Sequence, residues 1–269
     1  MSRQEKLKKL KNRLKSLKSV LVAYSGGVDS TLLLKMAREV LGDRVLAVTA
    51  LSETYPAREL ACARSLARTL GVSHKVIKTQ ELKDPHFRDN PQNRCYYCKK
   101  ELFSKLKKLA REHRLAYVID GSNADDLSDY RPGALAKKEF DVLSPLQEAG
   151  FTKKDVRALS KKYGLSTWCK PALACLASRV PYHSKIDKKR LMRIDKAEGL
   201  LRKSFHIKGN LRVRDFQDLA RIEVDKEKIK RLAASTKLAG LLGRFGYKSV
   251  VVDLKGYRTG SLNTELSKR

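Results

Sequence analysis

Acidic residues are scarce in this chain. Against 59 lysines and arginines stand 29 aspartates and glutamates, which leaves a formal charge of +30 over 269 residues. A field of that size draws anions, RNA among them, without any dedicated site. An evenly solvated surface, or the lysine-rich surface common at high temperature, accounts for the same figure. Long apolar runs are missing as well. None approaches the ~18–20 residues of a membrane-spanning helix, so no membrane partner is expected. The N-terminus is lysine-rich and has neither an apolar segment nor a cleavage site, which argues against a secretory leader and for a cytoplasmic location. The cysteines, Cys62, Cys95, Cys98, Cys169 and Cys175, are few and odd in number. In a reducing compartment they do not make a disulfide framework. His74, His86, His113, His183 and His206 show no ligand spacing and receive no role. The sequence also has no repeat and no low-complexity linker.

What is present is organised around Val20–Thr31. A β-branched, apolar run ends in Ser25-Gly26-Gly27-Val28-Asp29-Ser30, and a helix with apolar residues at Leu32, Leu33, Met36 and Val40 follows. Strand, glycine turn and helix N-terminus together form an anion site, because free N–H groups and the helix dipole converge there. No Lys-Ser/Thr pair closes the loop, so it is not a Walker A sequence. Ser-Gly-Gly-x-Asp-Ser instead resembles the PP-loop of ATP pyrophosphatases, which grip the β- and γ-phosphates and release pyrophosphate. Ser25 and Ser30 supply hydroxyls; Asp29 either caps the helix or helps hold Mg²⁺.

The same alternation continues. Strands are expected at Val20–Tyr24, Arg44–Leu51, Val72–Lys78, Tyr117–Asp120 and Asp141–Leu146. Helices are expected over residues 30–41, Pro56–Leu70, 96–113 and Thr152–Tyr163. Leucines 7, 10, 14 and 17 give the first nineteen residues a helical stripe, and 80–94 and Trp168–Arg179 read as loops. Such βαβ units predict an α/β fold with a parallel sheet flanked by helices, and ligands beyond the strands' carboxyl ends. The polar turn Gly121–Asp126 falls at that edge, either capping the next helix or touching ligand or metal. After residue 180 the composition becomes more basic. Lys188–Ser204 and Lys226–Phe245 read as helices, and Asn210–Arg214, Leu219–Asp225 and Lys248–Leu254 as strands. A domain of residues 1–180 followed by a smaller α+β domain of 181–269, for substrate binding and oligomerisation, is the expected organisation.

Cys95-x-x-Cys98 at a helix start fits a redox pair, half of a zinc site, or part of an iron–sulfur site. A matching second pair for zinc is lacking, since Cys169 and Cys175 are wrongly spaced. Cys62, on a helix among apolar neighbours, reads as core. Arg212 and Arg214 lie on one face of a strand, forming either a phosphate clamp or two solvated charges. Glu198 and Glu223 read as surface carboxylates more readily than as metal ligands.

Ser25–Ser30, Asn93–Cys98, Gly121–Asp126, Leu143–Leu146, Thr152–Arg157, Pro171–Arg179 and Asp253–Asn263 together resemble the LarE family over nearly the whole chain. The resemblance implies a PP-loop ATP pyrophosphatase fold of the adenine nucleotide alpha hydrolase type. It implies an ATP-dependent sulfur transferase that adenylates a carboxylate of pyridinium-3,5-biscarboxylic acid mononucleotide. The carboxylate becomes a thiocarboxylate, for the nickel-pincer nucleotide cofactor of lactate racemase. Ser25, Gly26, Gly27, Asp29 and Ser30 would bind ATP with Mg²⁺, Asp29 and Ser30 serving catalysis. Arg212 and Arg214, with Arg179 a weaker third, would hold the substrate phosphate. Some members sacrifice the sulfur of the cysteine matching Cys175. Others use three cysteines, here Cys95, Cys98 and Cys175, to carry a [4Fe–4S] cluster with a labile sulfide. This chain resembles the second branch. A small-molecule nucleotide substrate, a sulfide source and a homo-oligomer are the partners implied. The competing reading is a tRNA thiolase, and no RRM or KH pattern favours it.

Overall fold

Val20-Leu21-Val22 is apolar on both sides, as a strand covered by helices on both faces requires. The computed structural model, which describes residues 1–127, 132–172 and 174–262, builds a parallel sheet around it. Strands β1 (Val20–Ala23), β2 (Val45–Leu51), β3 (Ser73–Lys78) and β4 (Tyr117–Ile119) lie in the order β3-β2-β1-β4. Val20 pairs with Val45 on one side and with Tyr117 on the other. The helices of this unit are α1 (Arg3–Leu17), α2 (Val28–Leu41), α3 (Ala57–Thr69), α5 (Arg94–Glu112), α6 (Gly133–Glu139), α7 (Pro145–Glu148) and α8 (Lys153–Lys162). Between α3 and α5 the chain makes a short α4, Pro85–Arg88.

The strand alternation sends side chains to two cores. Val20, Val22, Val45 and Ala47 pack with Leu10, Leu14 and Leu17 of α1, with α2, and with Val156 and Leu159 of α8. Leu21, Leu46 and Val48 pack on the other face with Phe103, Leu106 and Ala110 of α5 and Ala136 of α6. The leucine stripe of α1 is therefore core, and a capping box between Ser2 and Glu5 starts the helix. A second box, Thr152 with Asp155, starts α8.

The chain divides into two compact units, Met1–Glu81 with Asn93–Lys170, and Leu82–Gln92 with Pro171–Arg269. The second unit holds α9 (Lys188–Phe205), β5 (Leu211–Phe216), β6 (Leu219–Val224), α10 (Lys226–Ala233), α11 (Lys237–Gly243) and β7 (Ser249–Val252). Its sheet runs β5-β6-β7, antiparallel then parallel. Leu211, Val213, Ile222 and Val224 pack with Ala197, Leu201, Leu232 and Leu242 to form its core. Residues 82–92 join this unit through Asn90, fully buried, whose amide donates to the carbonyls of Pro181 at 2.6 Å and Ser184 at 3.0 Å.

Three expectations are corrected. Asp141–Leu146 makes no strand, only an isolated bridge between Ile119 and Leu143. Asp141 sits at φ +45°, and Pro145, which has no N–H for a ladder, starts α7. The loop 80–94 carries a 3₁₀ turn at Glu81–Lys83 as well as α4. Lys226–Phe245 is two helices broken at Ala234–Thr236, where the Ser235 amide turns back to the Leu232 carbonyl. Leu173, within Pro171–Arg179, and Asn263, at the end of Asp253–Asn263, lie outside the described residues. Among the described residues no helix is long and apolar enough to cross a membrane.

Candidate functional site

The loop after β1 turns at Gly26, with φ +68°; a Cβ there would stand 3.1 Å from the Ala63 Cβ of α3. The left-handed backbone favours glycine there, and the close approach of Ala63 adds to the cost of any side chain. Gly27, extended, is the N-cap of α2 and makes no side-chain cap bond, so the N-terminal amides have no side chain over them from that position. Ser25 is exposed and its hydroxyl lies 3.2 Å from that of Ser30, which also donates to the Gly27 carbonyl at 3.3 Å. Two further groups hold the loop from outside its own sequence. The Tyr55 hydroxyl donates to the Ser25 carbonyl at 2.9 Å. Lys170 Nζ donates to the Gly26 carbonyl at 3.0 Å while pairing with Glu59 at 2.6 Å.

Asp29 does not cap its helix. Asn123 Nδ2 donates to its Oδ1 at 3.1 Å, and Lys153 Nζ, at the first position of α8, pairs with its Oδ2. Asn123 belongs to the turn after β4. Sheet order explains the meeting: the chain leaves β1 toward β2 and β3, and β4 returns on the opposite side of β1. The crevice between β1 and β4 is thus a topological switch point, where open α/β sheets bind ligands. The approach is close enough that a Cβ on Gly121 would fall 2.9 Å from the Ser30 nitrogen. Of the roles weighed for Gly121–Asp126, the structure shows the capping one, at the 3₁₀ turn Ala124–Leu127. Asn123 Oδ1 accepts from the Asp125 amide at 3.0 Å, and its other end reaches Asp29. Behind it, Asp120 accepts from Ser144 at 2.7 Å and from Ser122 at 2.9 Å, and Lys137 donates to both hydroxyls. The site is an anion cradle with one carboxylate and one ammonium at its mouth.

The second unit carries the arginines. Arg212 and Arg214 lie on one face of β5 and are 3% and 5% exposed, so they are not solvated charges. Arg214 donates to Glu223 at 2.7 Å, to the Ser261 hydroxyl and to the Ser178 carbonyl. Arg179, 1% exposed, pairs with Glu198 at 2.8 Å and donates to the carbonyls of Ala174 and Cys175. It holds the backbone of the Cys175 segment. Glu198 and Glu223 are fully buried, which corrects their reading as surface carboxylates. Burial alone would raise Glu198, but the Arg179 guanidinium holds it below the usual carboxylate value. Arg212 instead donates to the carbonyls of Leu211 and Ala172 and lies 5.2 Å from the Tyr257 ring centre. Burial, with the neighbouring Arg179 charge, pushes it down to about 10. Three buried guanidiniums thus face two buried carboxylates, a surplus of positive charge suited to an anion.

Cys95 and Cys98 lie near the start of α5, three residues apart and so on one side of the helix. Cys95 is exposed and Cys98 partly so, its thiol donating to Glu81 at 3.6 Å. Cys175, in the other unit, is exposed and precedes the 3₁₀ turn Leu176–Arg179. Cys62 is exposed on α3, which corrects its assignment to the core. Among the described residues no three His, Cys, Asp or Glu side chains gather as a metal-holding group. Sequence reasoning gave no role to Lys153, Lys170, Tyr55 or Asn123. Lys153, Lys170 and Asn123 stood inside stretches singled out for other reasons.

Residues 19–88 match the family described as queuosine biosynthesis protein QueC, which covers β1 through α4 and hence the loop. The chain is 43% identical over 268 residues to an uncharacterised protein of Synechocystis, across 98% of this chain and 99% of that one. It is 40% identical over 257 residues to the pyridinium-3,5-bisthiocarboxylic acid mononucleotide synthase of Lactiplantibacillus plantarum, across 95% and 92%. An uncharacterised protein of Methanocaldococcus jannaschii is 33% identical over 258 residues, across 95% and 98%.

Proposed function

The chain belongs to the LarE family of ATP-dependent PP-loop sulfur transferases, and we propose that it converts a carboxylate of pyridinium-3,5-biscarboxylic acid mononucleotide into a thiocarboxylate. The observation that carries this reading is the cradle at the switch point, where Ser25–Ser30 meets the Gly121 turn. The loop's amides and the hydroxyls of Ser25 and Ser30 bind the pyrophosphate end of ATP. A substrate carboxylate oxygen attacks the α-phosphorus. The bond to the bridging oxygen breaks, its electron pair leaves with pyrophosphate, and an acyl-adenylate remains. Sulfur then displaces AMP at the acyl carbon. The protein supplies position and charge rather than a covalent bond in the first step.

The surplus charge around Arg212 supports a phosphate-binding role for Arg212 and Arg214, with Arg179 shaping the segment between them and Cys175. Asp29 has the hard oxygen donor that Mg²⁺ takes. Cys95 and Cys98 fit two ligands of a [4Fe–4S] cluster, being accessible thiols on one helix turn. Cys175 would be the third. When bound, such a cluster supplies a sulfide for the acyl carbon. A cytoplasmic homo-oligomer, its smaller domain of residues 181–269 holding substrate, belongs to the same proposal.

The test is an anaerobic reaction of the protein with MgATP, the mononucleotide and sulfide. AMP, pyrophosphate and a thiocarboxylate product in equal amounts are expected. Pyrophosphate release that needs tRNA, and ignores the mononucleotide, would overturn the substrate assignment.

A further inference from the structure

The turn after β4 is held from behind by a closed ring of hydrogen bonds, and one member of that ring comes from α6. Gly121 is the residue that approaches Ser30, and both its neighbours belong to the ring. Buried Asp120 accepts from the Ser144 hydroxyl at 2.7 Å and from the Ser122 hydroxyl at 2.9 Å. Each hydroxyl spends its one proton on the carboxylate and has only lone pairs left to offer. Lys137 Nζ donates to both, at 3.0 Å to Ser122 and 3.1 Å to Ser144, and stands 3.8 Å from the Asp120 carboxylate. The ring is thus ordered from ammonium to hydroxyl to carboxylate, and the ammonium is also the counter-charge of a buried anion. Packing places this lysine. A Cβ on Gly133, the first residue of α6, would stand 3.0 Å from Lys99 Cγ of α5, and Glu139, the last, accepts from the Tyr96 hydroxyl of α5 at 2.9 Å. Lys137 lies between these two ties, its side chain 17% exposed, whereas its neighbour Lys138 is exposed.

We propose that Lys137 is a positioning residue of the nucleotide cradle: through Ser122, Ser144 and Asp120 it holds the Gly121 turn against Ser30 and Asn123 against Asp29. This rests on the ATP-dependent reading above and deepens it. Ser30 belongs to the first turn of α2, so the seat of Gly121 upon it sets the width of the crevice at the switch point. Asn123 follows Ser122 by one residue, and its amide donates to Asp29 at 3.1 Å. A turn released from the ring therefore displaces two contacts of the loop together. Lys137 acts through the turn and not on the nucleotide, since its ammonium is engaged with the ring. The expected loss is one of geometry at the ATP site, where small displacements are costly.

The test separates positioning from a merely structural ion pair. α,β-Methylene ATP with Mg²⁺ is titrated calorimetrically into the full-length protein, and thermal melts and pyrophosphate-release kinetics accompany each variant. Lys137→Met is expected to bind the analogue about 10–100-fold more weakly and to raise the KM for ATP, with the KM for the mononucleotide unchanged. Lys138→Met removes the same charge from the exposed neighbour and should match wild type. Asp120→Leu combined with Lys137→Met leaves no buried charge unpaired, so its melting temperature should recover toward wild type. Its analogue affinity should stay low, because the two hydroxyls have lost both their anchors. If Lys137→Met alone unfolds, this double variant and Ser144→Ala, which opens one side of the ring and should bind several-fold more weakly, carry the decision. Wild-type analogue affinity in folded Lys137→Met, or recovery of affinity together with stability in the double variant, would overturn the proposal. A wild type that binds no ATP analogue would instead defeat the ATP-dependent reading itself, and this proposal with it.

Discussion

At Gly121 the missing side chain is what lets two loops meet. A Cβ there would overlap the Ser30 nitrogen, and neither backbone can retreat, since one is a strand end and the other a helix start. Gly121→Ala should lower stability by about 1–3 kcal/mol, the usual cost of overpacking, and remove most pyrophosphate release. Denaturant melts and a coupled phosphate assay read the two effects, and a variant as active as wild type would show that the contact is not needed. The arginines divide by partner. Glu198→Gln leaves Arg179 buried without a counter-charge and should cost about 3–5 kcal/mol of stability. Arg212 has backbone carbonyls and a ring as its partners. Arg212→Ala should therefore spare the fold more than Glu198→Gln does and weaken the mononucleotide by about 1.5–3 kcal/mol, with ATP affinity little changed. Equal loss of ATP affinity would move Arg212 to the nucleotide site.

Helix α8 joins stability to the cradle. Its capping carboxylate, Asp155, also pairs with Lys6 of α1 at 2.6 Å and with Arg3 at 3.4 Å. Burial would raise this carboxyl, but Lys6 and the Thr152 bonds win and bring it down to about 2 from 3.8. The folded protein therefore keeps Asp155 ionised where the unfolded chain takes up a proton. Its stabilisation is whole above about pH 4 and is lost as the pH falls toward about 2. Melting temperatures followed through that window should fall less steeply in Asp155→Asn than in wild type. Identical slopes would mean that the contact adds nothing. Because Lys153 opens the same helix, the variant should also raise the KM for ATP before it alters kcat.

For the whole molecule the prediction concerns sulfur. The three cysteines of the proposed cluster come from two units, Cys95 and Cys98 from one and Cys175 from the other. A cluster enzyme needs all three thiolates. Cys95→Ser, Cys98→Ser and Cys175→Ser should each abolish the brown colour and sulfur transfer, while adenylation stays measurable. Wild type supplied with sulfide should turn over repeatedly at constant mass. Loss of about 34 Da at Cys175 after one turnover, with Cys95→Ser still active, would place sulfur donation on Cys175 alone. The charge of +30 makes a separate prediction. Any RNA that co-purifies should dissociate steeply with salt, whereas mononucleotide turnover should depend on salt far less.

The nucleotide loop, the alternation that sets the sheet and the Cys-x-x-Cys pair were all legible in the chain, for a shared reason. Each is local: a glycine turn between strand and helix, a period of two or of 3.6, a spacing of three. The leucine stripe of α1 was legible on the same ground. Folding settled whatever depends on residues far apart in sequence. Strand order put the β4 turn against Ser30, and nothing near Gly121 encodes that neighbour. Burial of Glu198 and Glu223 follows from arginines at 179 and 214, and a carboxylate reads as surface until its partner is known. Cys62 erred the other way, because apolar neighbours along a helix do not say which face it presents. Lys153 and Lys170 were silent among 59 basic residues. A lysine gains meaning only from the group its long side chain reaches, and that distance is fixed by packing, not by sequence.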